Sequence, residues 1–214
     1  MKALIVGASG ATGTKLVELL LKDETYNEVA VFVRHELKIN HDKLKTHIID
    51  FDQPEQWKNL VKGDVLFSCL GTTLKVAGSK EAQWKIDYDY QYNFAKWASK
   101  NEVNTYVLIS ASKAAADSFF FYSKMKGQLE EAVKKLSFSK LIIFKPTLLI
   151  RENSDRNMEV LGAKVISFFN KLGLLRSQKP ITTNVLAKAM LNAVKGLNNG
   201  QHTIEGQDIL NNAK

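Results

Sequence analysis

Apolar residues along this chain gather into short runs: "ALIV" (3–6), "VAVFV" (29–33), "HIIDF" (47–51), "VLFSCL" (65–70), "YVLIS" (106–110) and "LIIF" (141–144). Most of them are continuous rather than alternating, the pattern required of strands covered on both faces, as in a parallel sheet. Between the runs the periodicity changes to that of helices. Leu16, Val17, Leu19, Leu20 and Leu21 make one apolar face within 13–22, and Trp84, Tyr88, Tyr92 and Ala95 recur at three- to four-residue steps within 79–100. A third helix is predicted from about 118 to 136, and two more at about 158–172 and 184–196. Strands alternating with helices through short connections predict a right-handed, doubly wound α/β sheet with helices on both faces. Because the last two helical segments follow the sixth strand, about 151–214 is expected to contribute only a small substrate-side cap to a single domain spanning 1–214.

Composition narrows the class. At 214 residues and 45% hydrophobic content the chain suits one large domain with a substantial core. No apolar run approaches the ~18 to 20 residues needed to cross a bilayer, and the N-terminal run 3–6 is too short for a secretory signal. These features predict a soluble, cytoplasmic protein with no membrane partner. One cysteine, Cys69, excludes a disulfide framework and a cysteine-based zinc cluster. The four histidines, His35, His41, His47 and His202, lack paired metal-ligand spacing, so no metal is expected. The net charge of +8 suits an anionic ligand, but the lysines are scattered rather than gathered in a block, so nucleic acid is not expected as a partner.

The first strand runs directly into "VGASGATGTK", with Gly7, Gly10 and Gly13 three residues apart and an apolar helix beginning at once. Backbone N–H groups at such a helix start, with the macrodipole behind them, bind a pyrophosphate, and glycine lets the phosphates approach. Ser9 and Thr12 add hydroxyl donors. The spacing is G-x-x-G-x-x-G rather than the G-x-G-x-x-G dinucleotide fingerprint. Its place between the first strand and first helix of a doubly wound sheet nevertheless assigns it to a dinucleotide site of Rossmann type. About twenty residues on, an acidic residue would hold the ribose 2′-hydroxyl of NAD. The second strand instead ends "VFVRHE", with Arg34 at that point. A guanidinium clamps a 2′-phosphate with charge-assisted bonds, so NADP(H) is preferred over NAD(H). His35 and Lys38 are available to assist, and Glu36 is the alternative ribose ligand if the strand ends later.

Tyr122 and Lys126 are four apart and therefore share a helix face. A phenol in water titrates near ~10; a neighbouring ammonium stabilises the phenolate and brings proton exchange closer to neutrality. Glu130, a further turn along, is read as a surface or packing partner. Of the successive residues Phe119, Phe120 and Phe121, at least one is expected at the mouth of the site or against a partner subunit, since no helix buries three consecutive positions on one side.

With the glycine loop, "LGTT" (70–73) and Tyr122-x-x-x-Lys126 in place, the chain resembles the short-chain dehydrogenases/reductases, in particular their atypical branch. "GASGATG", "IIDFD", "SCLGTT", "DYDY", "YSKMKGQLEEAVKKL" and "FKPTLLI" are most similar to the Tat-interactive-protein-type oxidoreductases, and the likeness runs from Lys2 to about Leu210. The resemblance implies that Gly7, Ser9, Gly10, Ala11, Thr12 and Gly13 hold the pyrophosphate, Arg34 and His35 the 2′-phosphate, and Asp50 with Phe51 the adenine. It also implies that Leu70, Gly71 and Thr72 pass beside the adenosine ribose and nicotinamide side, with Leu149 and Arg156 near the nicotinamide end. Tyr122 would be the proton donor and Lys126 its partner. A serine at the end of the fifth strand would orient a substrate carbonyl, and "ISASK" offers two: Ser112 fits the pattern of the sugar-nucleotide-modifying members and is placed first, while Ser110 matches on the last residue of the strand.

The function these features imply is an NADPH-dependent carbonyl reductase of a small substrate. The alternative from a different class is an NADPH-sensing regulator that docks on a protein partner, as nitrogen-metabolite-repressor-like relatives do. A nucleotide-sugar epimerase or dehydratase ranks third, because only about 70 residues follow the sixth strand. Homo-oligomerisation is compatible with each.

Overall fold

The computed structural model describes residues 1–147, 149–150 and 180–214. Seven strands form one wholly parallel sheet in the order β3-β2-β1-β4-β5-β6-β9: β1 (Lys2–Val6), β2 (Glu28–Val33), β3 (Leu44–Ile48), β4 (Val65–Ser68), β5 (Thr105–Ile109), β6 (Lys140–Lys145) and β9 (Gly200–Glu205). A separate parallel pair joins β7 (Leu149–Ile150) to β8 (Ile181–Thr182). The strands are covered on both sides. Alternate residues feed opposite layers: Ala3, Ile5, Val65 and Phe67 pack beneath α1 (Ala11–Lys22) and α7 (Thr183–Gly196), with α8 (Gln207–Asn212) beside them. Leu4, Val6, Phe32 and Leu66 pack beneath α5 (Tyr90–Lys100) and α6 (Phe121–Lys134), with Trp57 of the short α2 (Pro54–Trp57). Each aliphatic side chain so enclosed contributes about 1.5 to 3 kcal/mol. The continuous apolar runs are therefore the signature of central strands serving two cores.

Register aligns the carboxyl ends of the central strands. Val6 lies level with Phe32 on one side and Ser68 on the other, and Ser68 lies level with Leu108. The chain consequently leaves β1, β4 and β5 along one edge, and the order changes direction at β1 and β4. That is where open α/β sheets form their binding crevice.

Several elements differ from the sequence reading. β3 is Leu44–Ile48 rather than 47–51, because the apolar run Ile49–Phe51 is the exit from this edge strand, tucked against the α5 side of the sheet. The seventh strand, β9, reads GQHTIE and buries only Ile204, so no apolar run announces it. Residues 183–212, assigned by the sequence reading to a cap, instead supply α7, β9 and α8 to the main sheet and its helix layer. The predicted helix at 158–172 lies outside the described residues. α6 begins at Phe121, preceded by an extended Phe120; Phe119 is 104% and Phe120 79% exposed, while Phe121 faces Trp84 with ring centroids 6.2 Å apart.

The helix expected at 79–100 is present, but with an interruption. α4 (Lys80–Trp84), after the short α3 (Leu74–Ala77), runs into a π-helical turn, Lys85–Asp89, and then into α5. Such turns insert an extra residue into an α-helix and re-aim its side chains, frequently at functional sites.

Candidate active site

The loop after β1 is built by close contacts. Gly7 has φ +84°, and a Cβ there would stand 2.5 Å from the Cys69 carbonyl carbon. A Cβ on Gly13 would collide with the Gly7 carbonyl oxygen and lie 2.9 Å from Ala8 Cα, so glycine is what lets α1 start directly on the loop. Gly10 donates its N–H to Gly7 O at 3.0 Å, and Thr14 donates to Gly10 O at 2.9 Å. Gly10 caps α1 without a side-chain bond, and no acidic residue occupies the first turn. The leading amides therefore face the cleft with the positive helix end behind them, the arrangement that suits an anion.

A cleft of about 460 Å³ opens from this helix start. Gly10, Ala11 and Thr12 line its α1 side, Cys69 to Thr73 its floor after β4, and Ile109, Ser110, Tyr122, Lys126, Leu149 and Thr183 its far side. It brings together Tyr122, Lys126, Ser110 and the residues expected beside the ribose and nicotinamide, Leu70, Gly71 and Thr72. Ser112 is not among the lining residues; its N–H donates to Pro146 O at 3.2 Å. Ser9 is exposed on the glycine loop. Arg34 and His35 are exposed just past β2, and Arg34 makes no ion pair among the described residues. Asp50 is exposed beyond β3 and accepts the Asp52 N–H at 2.9 Å. Phe51 is buried, its ring 5.1 Å from that of Tyr90 and 5.7 Å from that of Phe94, which leaves Asp50 as the accessible member of the pair. Arg156 lies outside the described residues.

Two buried charges complete this side of the cleft, and sequence reasoning assigned neither a role there. Asp87, in the π-helical turn, is fully buried; its Oδ1 lies 3.0 Å from Lys126 Nζ, whose side chain is 3% exposed. The pair is a close charge contact rather than an aligned hydrogen bond. Asp87 Oδ2 accepts the Thr72 N–H at 3.0 Å. Behind it, Gln91 donates to Asp87 O at 2.7 Å and accepts from Ser68 Oγ at 2.8 Å, while Gln83 donates to Thr72 O at 3.2 Å. One turn along α6, Glu130 is buried and accepts the Ser110 hydroxyl proton, with Lys145 Nζ at 3.4 Å from its other oxygen. Glu130, read from the sequence as a surface or packing partner, thus orients the cleft serine and leaves the Ser110 lone pairs to the cavity. Cys69, also in the lining, has its thiol pushed up to about 12 by burial and is neutral. The signal for Asp87 was present in "DYDY", but it is the extra residue of the π-helical turn that turns it toward Lys126. Among the described residues no His/Cys/Asp/Glu group is arranged to hold a metal ion, and no helix is long and apolar enough to cross a membrane.

Comparison with known proteins agrees with this geometry. The model of the family described as NAD(P)H-binding matches residues 7–165. The mitochondrial protein FMP52 of Meyerozyma guilliermondii is 33% identical over 89% of this chain and 84% of its own length. Its counterpart in Candida albicans is 31% identical over 92% and 90%, and that in Saccharomyces cerevisiae 31% over 77% and 73%. All three are named as mitochondrial proteins, which overturns the cytoplasmic assignment: the missing long apolar segment bears on helical membrane crossing, not on compartment. Among solved structures, a Bacillus cereus UDP-glucuronic acid 4-epimerase with NAD superposes with a TM-score of 0.71 at 14% identity, over 96% of this chain and 78% of that one. The human epimerase family protein SDR39U1 with NADPH superposes at 0.65 and 17% identity, over 96% and 74%. At such identities the likeness establishes the Rossmann-like fold alone, whereas the family match, carried by the glycine loop and the strands that follow it, establishes that the chain belongs to the NAD(P)H-binding family together with the FMP52 proteins.

Proposed function

We propose that the protein is an NADPH-dependent oxidoreductase that reduces the carbonyl group of a small molecule, of the kind the Tat-interactive-protein-type resemblance implies. The observation that carries this reading is that one cleft holds both the uncapped, acid-free start of α1 and the Tyr122, Lys126 and Ser110 side chains. Gly10 to Gly13 would hold the pyrophosphate, Arg34 with His35 the 2′-phosphate, and Lys126 the nicotinamide ribose. When bound, NADPH supplies hydride to the carbonyl carbon. Tyr122, 42% exposed and therefore open to a substrate, donates its proton to the developing alkoxide. Ser110, its own proton committed to Glu130, can only accept there, so it would receive a donor group of the substrate while the carbonyl oxygen takes its bond from Tyr122. Positioned proton transfer contributes about 10² to 10⁴ in rate.

Tyr122→Phe tests the assignment: turnover of a reduced carbonyl falls by that factor while NADPH affinity stays within about twofold of wild type. Equal loss of both removes Tyr122 from the chemistry. The exposure of Phe119 and Phe120 next to Tyr122 supports a second reading, an NADPH-sensing protein that docks on a partner. For that reading a broad carbonyl panel leaves the cofactor unoxidised and NADPH changes the affinity for the partner. The names of its relatives support a mitochondrial location, which organelle fractionation with an antibody to the native chain tests.

A further inference from the structure

We propose that Asp87 is a positioning and charge-balancing residue for the Tyr122 and Lys126 pair. Its carboxylate fixes Lys126 Nζ and cancels most of the ammonium field at the phenol, so that Tyr122 works as a donor beside a balanced charge pair. The inference rests on the reductase reading for its chemistry, but on geometry for its charge balance.

An ammonium one helical turn from a phenol, acting alone, draws the phenol toward ionisation. Here a carboxylate stands 3.0 Å from that ammonium, both groups nearly sealed from water. In such surroundings opposite charges interact strongly and are little screened, and to a phenol farther away the two act as a dipole. The other titratable groups facing this point add no net charge. The Cys69 thiol is neutral through burial, and Glu130 on α6 is matched by Lys145 on β6. Lys85 and Asp89, on the same π-helical turn, line a different hollow with Trp84 and Phe121. The local charge is therefore set by Asp87 and Lys126 together.

Asp87 is itself held from two directions. The Thr72 N–H fixes Oδ2, which ties the carboxylate to the cleft floor, and Gln91 fixes the Asp87 backbone carbonyl from within α5. With no aligned hydrogen bond from Lys126 among the described residues, its ammonium protons remain available to a ligand in the cleft. Asp87 thus acts through Lys126 and touches neither cofactor nor substrate.

The test uses the full chain, NADPH and a carbonyl compound that the wild type reduces, with kcat/KM followed from about pH 6 to 10. Asp87→Asn removes the negative charge and keeps the shape. Its basic limb is expected to move to lower pH by on the order of one unit, either because the phenol ionises sooner beside a bare ammonium or because the buried ammonium itself sheds its proton sooner. Asp87→Glu keeps the limb near the wild-type position. A limb that stays in place in Asp87→Asn, whatever the height of its plateau, overturns the proposal, since a purely structural residue changes the plateau only. If Asp87→Asn does not fold, the double variant Asp87→Asn/Lys126→Met decides by carbon-13 NMR titration of Tyr122, which needs no turnover from a chain lacking Lys126. A charge-free pair should leave the Tyr122 midpoint where the balanced pair leaves it, and a midpoint more than about one unit higher shows that Lys126 acted uncompensated. Should the wild type reduce no carbonyl, the reductase reading fails by itself. The charge-balance proposal then stands or falls on carbon-13 NMR titration of Tyr122 and Lys126, identified by their loss in Tyr122→Phe and Lys126→Met. At least one midpoint falls in Asp87→Asn if the proposal holds, and neither moves if it does not.

Discussion

The two halves of the cleft are made of different material. On the α1 side the site is backbone: amide groups of Gly10 to Gly13 at a helix start, with close approaches only glycine permits. On the α6 side it is side chain: Tyr122, Lys126, Asp87, Ser110, Glu130 and Lys145, drawn from α6, the π-helical turn, the β5 exit and β6, with both ion pairs largely sequestered from water. The first half binds through a shape that the chain adopts locally. The second depends on three long-range placements being right at once, and a small error leaves a buried charge without a partner. A backbone site is therefore robust to change in its surroundings, and a buried charge site is not.

Lys126→Met should expose that fragility most. It leaves Asp87 buried and unpaired, a class of change that costs about 3 to 5 kcal/mol; urea denaturation reads it, and adding Asp87→Asn should recover most of the loss. A cost below about 1 kcal/mol would mean that water reaches the pair. On the backbone side, Gly13→Ala forces a Cβ into the Gly7 carbonyl and should destabilise the fold by about 1 to 3 kcal/mol while abolishing NADPH binding by calorimetry. Retained affinity would show that the loop can move aside. Arg34→Ala should leave stability unchanged and weaken NADPH about tenfold, near 1.4 kcal/mol, with NADH unaffected; equal affinities for the two cofactors in the wild type would remove Arg34 from the 2′-phosphate.

Far from both halves, Asp23 receives the Lys195 ammonium, linking the end of α1 to α7. Burial alone would raise this carboxyl, but the bonds from Lys195 and Thr25 outweigh it and hold the group below the usual carboxylate range. A depressed folded value stabilises above the unfolded one and is lost as the pH falls through the folded one. Asp23→Asn should accordingly cost under about 1 kcal/mol at pH 7, with the difference from wild type fading below about pH 3.9. A constant difference across that range would deny the ion pair any part.

The same contrast explains what could be read in advance. Central strands and the glycine loop were legible because two-sided burial and close backbone approach each demand particular residues at particular spacing. Edge elements were not: β9 buries a single residue, and the apolar run after β3 belongs to the loop that carries Phe51. Tyr122 and Lys126 were legible as a pair because four-residue spacing is local. Asp87 is thirty-nine positions from Lys126, and Glu130, which takes the proton of the cleft-lining Ser110, is twenty residues from it. Compartment is not written in the length of an apolar run or in the number of cysteines.

The π-helical turn also affects how related chains should be aligned. Each residue of an α-helix advances the side chains by about 100°, so removing one residue from Lys85–Asp89 would restore a regular helix and swing Asp87 away from Lys126 without altering any amino acid that meets a ligand. A single-residue gap at this place in a relative is thus a change of electrostatics written as a change of length, and it separates chains with a compensated lysine from chains with a bare one.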